Sequence, residues 1–220
     1  ERGECLMENK KMKLWKKILL VLLVLFILWL ILVARRFIII TKLVNEAQKY
    51  NGKTNYIAVV QSLQDGTVNI MKSYRKDGDY LTTIKVYSPS IKEERGLTVY
   101  RKENEVIGIL QSGEDKVALI DGNILAGDIQ VANALSIISN NVQKIQFAIT
   151  STITKEKCNG RDCYLIKVDN SRIWVDKESG LVIRNMNGTW ITERFYEFDV
   201  VKDENIQKPD ISDCRIREEN

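Results

Sequence analysis

The chain has 220 residues, with 33 basic and 29 acidic side chains, a formal net charge of +4 and no histidine. The missing imidazole excludes Ser-His-Asp and Cys-His catalysis and any histidine metal site. Residues 1–36 hold eight of the basic and three of the acidic residues, which leaves 25 against 26 in the remainder. That near-neutral remainder has no electrostatic basis for nucleic-acid binding.

Residues 1–6 precede the first methionine, Met7, and Glu1-Arg2-Gly3-Glu4 matches a purine-rich stretch like a bacterial ribosome-binding site. They are expected to be untranslated leader, within a short cytoplasmic tail at residues 1–13. Residues 18–34 are seventeen consecutive apolar side chains. At about 1.5 Å per residue, residues 14–34 reach across a hydrocarbon core of roughly 30 Å, with Trp15 placed as an interfacial anchor. A single transmembrane signal-anchor is expected. A cleavable signal peptide would have a shorter apolar run and a small-x-small site, whereas this run ends Val33-Ala34-Arg35-Arg36. Lys10, Lys11, Lys13, Lys16 and Lys17 precede the apolar run, against Arg35, Arg36 and Lys42 after it. This bias puts the N-terminus in the cytoplasm and residues 37–220 outside.

Residues 35–52 read as a juxtamembrane helix: Ile39, Ile40, Leu43, Val44 and Ala47 recur on one face and Gly52 supplies a stop. Residues 53–220 form the extracytoplasmic domain. Strands are expected at 56–62, 67–74, 80–87, 97–102, 105–111 and 116–120, closed by turns such as Asp65-Gly66 and Asp77-Gly78. A helix follows at 128–140, with Asp128 as N-cap, then strands at 145–154, 164–168, 171–176, 181–186 and 189–198. The fold class is α+β: a large curved antiparallel sheet of about ten strands, a half-open β-barrel, with a leading helix and one inserted helix.

Alternation puts Ile84 and Val86 on one face of their strand, and Tyr164, Ile166 and Val168 on one face of theirs. Such a face is either filled core or the lining of a cavity for an apolar ligand. The candidate ligand-binding residues on the concave face are Ile84, Val86, Tyr164, Ile166, Val168 and Trp174. Cys158 and Cys163 flank Asn159-Gly160, a tight-turn dipeptide. In an oxidising exterior they are expected to form a structural disulfide, with free thiols as the alternative. Cys214 is expected to be unpaired or joined to another chain. Acidic pairs such as Glu93-Glu94 and Glu114-Asp115 sit in turns, and no phosphate loop, metal cluster or nucleophile-base set is present. No catalytic residue, metal or cofactor is expected, and no enzyme.

The closing stretch contains Trp174, Asp176, Ser179, Gly180 and Leu181 between two strands. It resembles the "strand, W-x-D-x-x-T/S-G-L, strand" hairpin of the lipoprotein-carrier superfamily, LolA/LolB/RseB-like. Asp176 and Gly180 would build the turn while Trp174 packs on the sheet. The resemblance implies an unclosed β-barrel wrapped over helices, with an apolar cavity that in some members holds lipoprotein acyl chains. The expected function is a membrane-anchored extracytoplasmic binding domain for lipid, lipoprotein or another apolar ligand. The alternative is a non-enzymatic protein-interaction or sensor module, or an accessory subunit of a membrane complex. The expected partners are the membrane, a lipid or lipoprotein, and a membrane protein, with no nucleic acid.

Overall fold

The computed structural model describes residues 2–90, 93–120 and 140–218. The expected span and juxtamembrane helix are one continuous element, α1 (Arg2–Gln48). No glycine or proline interrupts it after Gly3, so nothing in the backbone chemistry breaks the ladder of hydrogen bonds. Among the described residues this is one helix long and apolar enough to cross a membrane, and its most apolar window is not buried at all.

Beyond it lie β1 (Tyr56–Gln64), β2 (Thr67–Lys76), β3 (Asp79–Tyr87), β4 (Arg95–Lys102), β5 (Glu105–Ser112) and β6 (Asp115–Ile120). A short helix α2 (Asn141–Thr150) leads into β7 (Thr152–Cys158), β8 (Arg161–Val168), β9 (Ser171–Asp176), β10 (Val182–Asn187) and β11 (Trp190–Phe198). The last strand is β12 (Arg215–Glu218). All twelve belong to one open, curved sheet in the order β12-β6-β5-β4-β3-β2-β1-β11-β10-β9-β8-β7. The two meanders β1–β6 and β7–β11 are joined where β1 pairs with β11, and among the described residues only the β12–β6 pairing is parallel. The expected α+β class with its large sheet and leading helix is present.

Two-residue turns build the hairpins. Asp65 and Gly66, at φ 48° and 80°, and Asp77 and Gly78, at 52° and 101°, occupy the left-handed region at both central positions. That is the primed-turn geometry whose twist matches the strands, and glycine adopts it without a Cβ penalty.

The stretch from Asn140 to Thr152 differs from the sequence reading. The helix expected at 128–140 lies outside the described residues except for Asn140. That residue is the N-cap of α2: its side chain accepts from the Gln143 backbone at 2.8 Å, while Gln143 reaches back to the Asn140 backbone. The strand expected at 145–154 is therefore helix as far as Thr150, and the strand starts at Thr152. The capping box outweighs the β-branched Ile145 and Ile149, and Lys144 and Ala148, one turn apart, give α2 a buried face. The strand β12 has no counterpart in the sequence reading.

Coverage divides the sheet. On one face, Ile40, Leu43 and Val44 of α1 and Ala148 of α2 pack with Ile166, Val175 and Val182. Ala47 continues this contact to Ala58, Leu181 and Tyr196. On the opposite face of the first meander, Val201, Ile206 and Ile211 of the C-terminal tail pack on Tyr100, Ile107 and Ile109. Asn55 clamps the tail's entry, donating to the Val201 carbonyl at 3.1 Å and accepting from its N–H at 2.9 Å.

Candidate functional site

Consecutive hairpins carry one register across six strands. Val60 pairs with Met71, Met71 with Ile84, Ile84 with Leu97, Leu97 with Leu110, and Leu110 with Val117. Six apolar side chains thus form an unbroken row on the helix-bearing face of the first meander. At about 4.8 Å between strands the row is about 24 Å long. Arg194 of β11, opposite Val60, closes one end, and Arg215 of β12, beside Val117, closes the other. Arg194 donates to Asn185 Oδ1 at 2.5 Å, and burial holds its pKa below the usual arginine value.

Among the described residues only the β1–β2 end of the row meets a helix-facing core: Val60 and Met71 pack beside Ala47 and Tyr196. Ile84, Leu97 and Val117 are partly exposed and Leu110 is 48% exposed. Among the described residues none of these four belongs to a core cluster. The adjacent row is fully packed, with Ala58, Ser73, Thr82 and Val99 all at 0–1% exposure. Within it, the Ser73 and Thr82 hydroxyls bond each other at 2.8 Å, which satisfies two buried polar groups.

The six candidate residues named from the sequence fall into three places. Ile84 is a rung of the apolar row and Val86, two residues on along β3, lies beside it on the same face. Tyr164, Ile166 and Val168 share that face but lie in the second meander under α1 and α2, where Ile166 is fully buried. Trp174 is on the opposite face: it pairs with Leu165 across β8–β9 and packs with Cys158, Cys163 and Ile183. The Arg184 guanidinium covers its ring at 5.1 Å. The structure therefore brings Ile84 and Val86 together with Met71, Leu97, Leu110 and Val117, which the sequence reading does not name.

The cysteine pair departs from expectation. Cys158, Cys163 and Cys214 are free thiols. The register explains why Cys158 and Cys163 do not bridge: Arg161 stands opposite Cys158, and Glu156 opposite Cys163. The cysteines are diagonal neighbours, where separations exceed those of directly opposed residues. Burial pushes the Cys163 thiol up to about 11 and the Cys158 thiol upward as well, so both are poor nucleophiles.

The W-x-D-x-x-S-G-L stretch forms a turn that supports α1. Asp176 Oδ1 accepts from the Glu178 N–H at 3.0 Å, the Ser179 N–H at 2.7 Å and the Ser179 hydroxyl at 2.8 Å. Gly180 has φ 69°, and a Cβ there would press on the Leu43 carbonyl oxygen and lie 2.8 Å from the Ala47 nitrogen. Glycine is needed twice over, for conformation and for the approach of the helix backbone. A polar hollow of about 570 Å³ beside this turn is lined by Tyr50, Lys157, Arg161, Asp162, Asp176 and Glu178. Its one buried carboxylate, Asp176, is committed to the turn.

No family model and no curated protein sequence matches the chain. Among solved structures it is similar to an uncharacterized conserved protein from Thermus thermophilus, with TM-score 0.41 and 10% identity, covering 81% of this chain and 98% of that one. It is also similar to MucB, with TM-score 0.41 and 11% identity over 80% of this chain and 64% of that one. A third likeness is to MucB in complex with MucA(peri), with TM-score 0.39 and 10% identity over 80% and 61%. The chain spans less than two thirds of either MucB chain. Likeness at this level concerns overall layout and transfers no residue, ligand or partner.

Proposed function

We propose that this chain is a membrane-anchored, extracytoplasmic, non-enzymatic binding domain that lays an apolar ligand, a lipid or the acyl part of a lipoprotein, along the row from Val60 to Val117. The observation that carries this reading is the row itself: six apolar side chains in register, four of them outside the core clusters of the described residues, ended by two arginines. An elongated apolar chain gains about 0.8 kcal/mol per buried methylene on such a strip. An anionic head at the far end would compete with Asp115, 3.3 Å from Arg215, for that exposed guanidinium. The anchor is the segment 14–34 of α1, whose side chains from Leu14 to Leu32 are between about half and three-quarters exposed. Apolar surface of that extent supports a place in lipid.

The full-length protein in detergent, irradiated with a photoactivatable C16 fatty acid, should be labelled at Ile84, Leu97 or Leu110. Ile84→Lys should lower that labelling about tenfold, the order of one charge placed in an apolar site. Unlabelled wild type, or equal labelling of the variant, would refute the reading. Digestion of residues 37–220 by protease added outside intact cells, with the span retained after alkaline carbonate, tests the anchor and its orientation.

A second reading has its own support. Val142, Ile145 and Ile149 of α2 are 74%, 47% and 45% exposed and recur at helical spacing. Such a stripe fits a protein partner in the membrane or at its surface. If a partner co-purifies at fixed stoichiometry and Ile145→Asp abolishes this while fatty-acid labelling is unchanged, the interaction module is the better description.

A further inference from the structure

α1 meets the sheet at the end of its apolar stretch. Leu32, Arg35 and Arg36 form one wall of a cleft of about 280 Å³, and Ile153, Lys155 and Tyr164 of the β7–β8 hairpin form the other. The floor is apolar and the rim carries three cations. Arg36 donates to the Ala148 carbonyl at 3.4 Å, which ties the last turn of α2 to this corner. Among the described residues no carboxylate pairs with Arg35, Arg36 or Lys155.

Depth decides what such a cleft meets. Arg35 and Arg36 follow directly on the apolar residues 18–34, so they stand about 1.5–3 Å past the hydrocarbon boundary. The headgroup region adds roughly 5–7 Å on each side of the core. Lys155 shares the cleft and so lies at the same level. Basic residues on the outer side also run against the usual loop bias, so a local counter-anion gives them a reason to be there. Guanidinium groups match phosphate oxygens in a bidentate fork, and the apolar floor formed by Leu32, Ile153 and Tyr164 suits the glycerol and first methylenes.

We propose that this cleft seats the headgroup of one anionic phospholipid of the outer leaflet, with the phosphate between Arg35, Arg36 and Lys155. The proposal rests on the anchoring given above and is separate from the apolar row. A zwitterionic choline lipid would bring a fourth cation into a site without a carboxylate, so the preference is for net negative lipids.

Full-length protein in nanodiscs of equimolar phosphatidylcholine and phosphatidylglycerol is released in a native mass spectrometer and its retained lipids are counted. Wild type is expected to keep one phosphatidylglycerol at about tenfold over phosphatidylcholine, in line with three cations near a charged surface. The R35Q/R36Q/K155Q variant is expected to fall to the bulk ratio, while R35K/R36K keeps most of the preference, which separates lost charge from lost fold. Equal lipid ratios in wild type and triple variant overturn the proposal. So does displacement of the lipid by millimolar inorganic phosphate, which marks a free-phosphate site. Release of wild type by alkaline carbonate would defeat the anchoring and the cleft together; retention with a flat lipid ratio defeats the cleft alone.

Discussion

The two meanders of one sheet are covered by different segments. In β7–β10 the helix-bearing face is filled by Ile40, Leu43, Val44 and Ala148. In β1–β6 the tail packs on the other face through Val201 and Ile206, and the helix-bearing face keeps a partly exposed apolar row. Both halves have similar alternation of apolar and polar residues, so alternation alone does not distinguish core from binding surface. What distinguishes them is which covering segment reaches which face. On the same face, Ile166 of the second meander is fully buried and Leu110 of the first is 48% exposed.

The largest expected effect lies where helix and second meander touch most closely. Gly180→Ala introduces a Cβ against the Leu43 carbonyl at a left-handed position, and should cost about 3–5 kcal/mol by strain and overpacking. Denaturant midpoints in detergent measure it. Leu43→Ala should cost about 2–4 kcal/mol by leaving a cavity, whereas Leu110→Ala should cost about 0.5 kcal/mol and act on ligand labelling instead. Similar losses at both leucines would erase the contrast between the halves. Ile206→Ala, at 4% exposure on the inner side of the tail, should cost about 1–3 kcal/mol. Faster hydrogen exchange should be confined to residues 199–214 and the strands beneath them.

The smallest effect is electrostatic. Lys76 bonds Asp203 at 2.8 Å, and Lys116 bonds Asp213, fastening the tail at two exposed points. The bond from Lys76 holds the Asp203 carboxyl below the usual aspartate value, and the bond from Lys116 does the same for Asp213. A depressed carboxylate contributes stability above its unfolded pKa and loses it as pH falls through the folded one. The tail should therefore begin to loosen below about pH 4. The paired lysines are raised, so their contribution is complete below about pH 10.5 and fades as pH rises through their folded values. Exchange rates of residues 199–214 against pH should show this window, narrowing in high salt because the pairs are exposed.

Much of the architecture is legible in the sequence because the turns are. Asp65-Gly66, Asp77-Gly78 and Glu103-Asn104 each leave two residues between strands, so each hairpin sets its own register. The 87–95 connection is longer and sets none. The Ile84–Leu97 pairing is thus the link that only the fold supplies, and without it the apolar row does not appear. Trp174 falls on the face of Ile166 only when its strand is read without its partners: its pairing with Leu165 places it on the other face. In α2, Ile145 and Ile149 suggest a strand as long as the Asn140–Gln143 capping box is left out of the reading. The tail's docking depends on contacts more than ninety residues apart, such as Lys208 to Glu105 and Asn55 to Val201, which local patterning does not encode.

The unbroken α1 makes the molecule a lever. Its 47 residues extend about 70 Å at helical rise, and Leu43 and Ala47 near one end are wedged into the sheet at Gly180. Without a hinge residue between Glu4 and Gln48, tipping the β-sheet domain tips the rod by the same angle. In a bilayer, a load on the sheet would then become a change of tilt inside the membrane and a lateral displacement of the basic end beyond it.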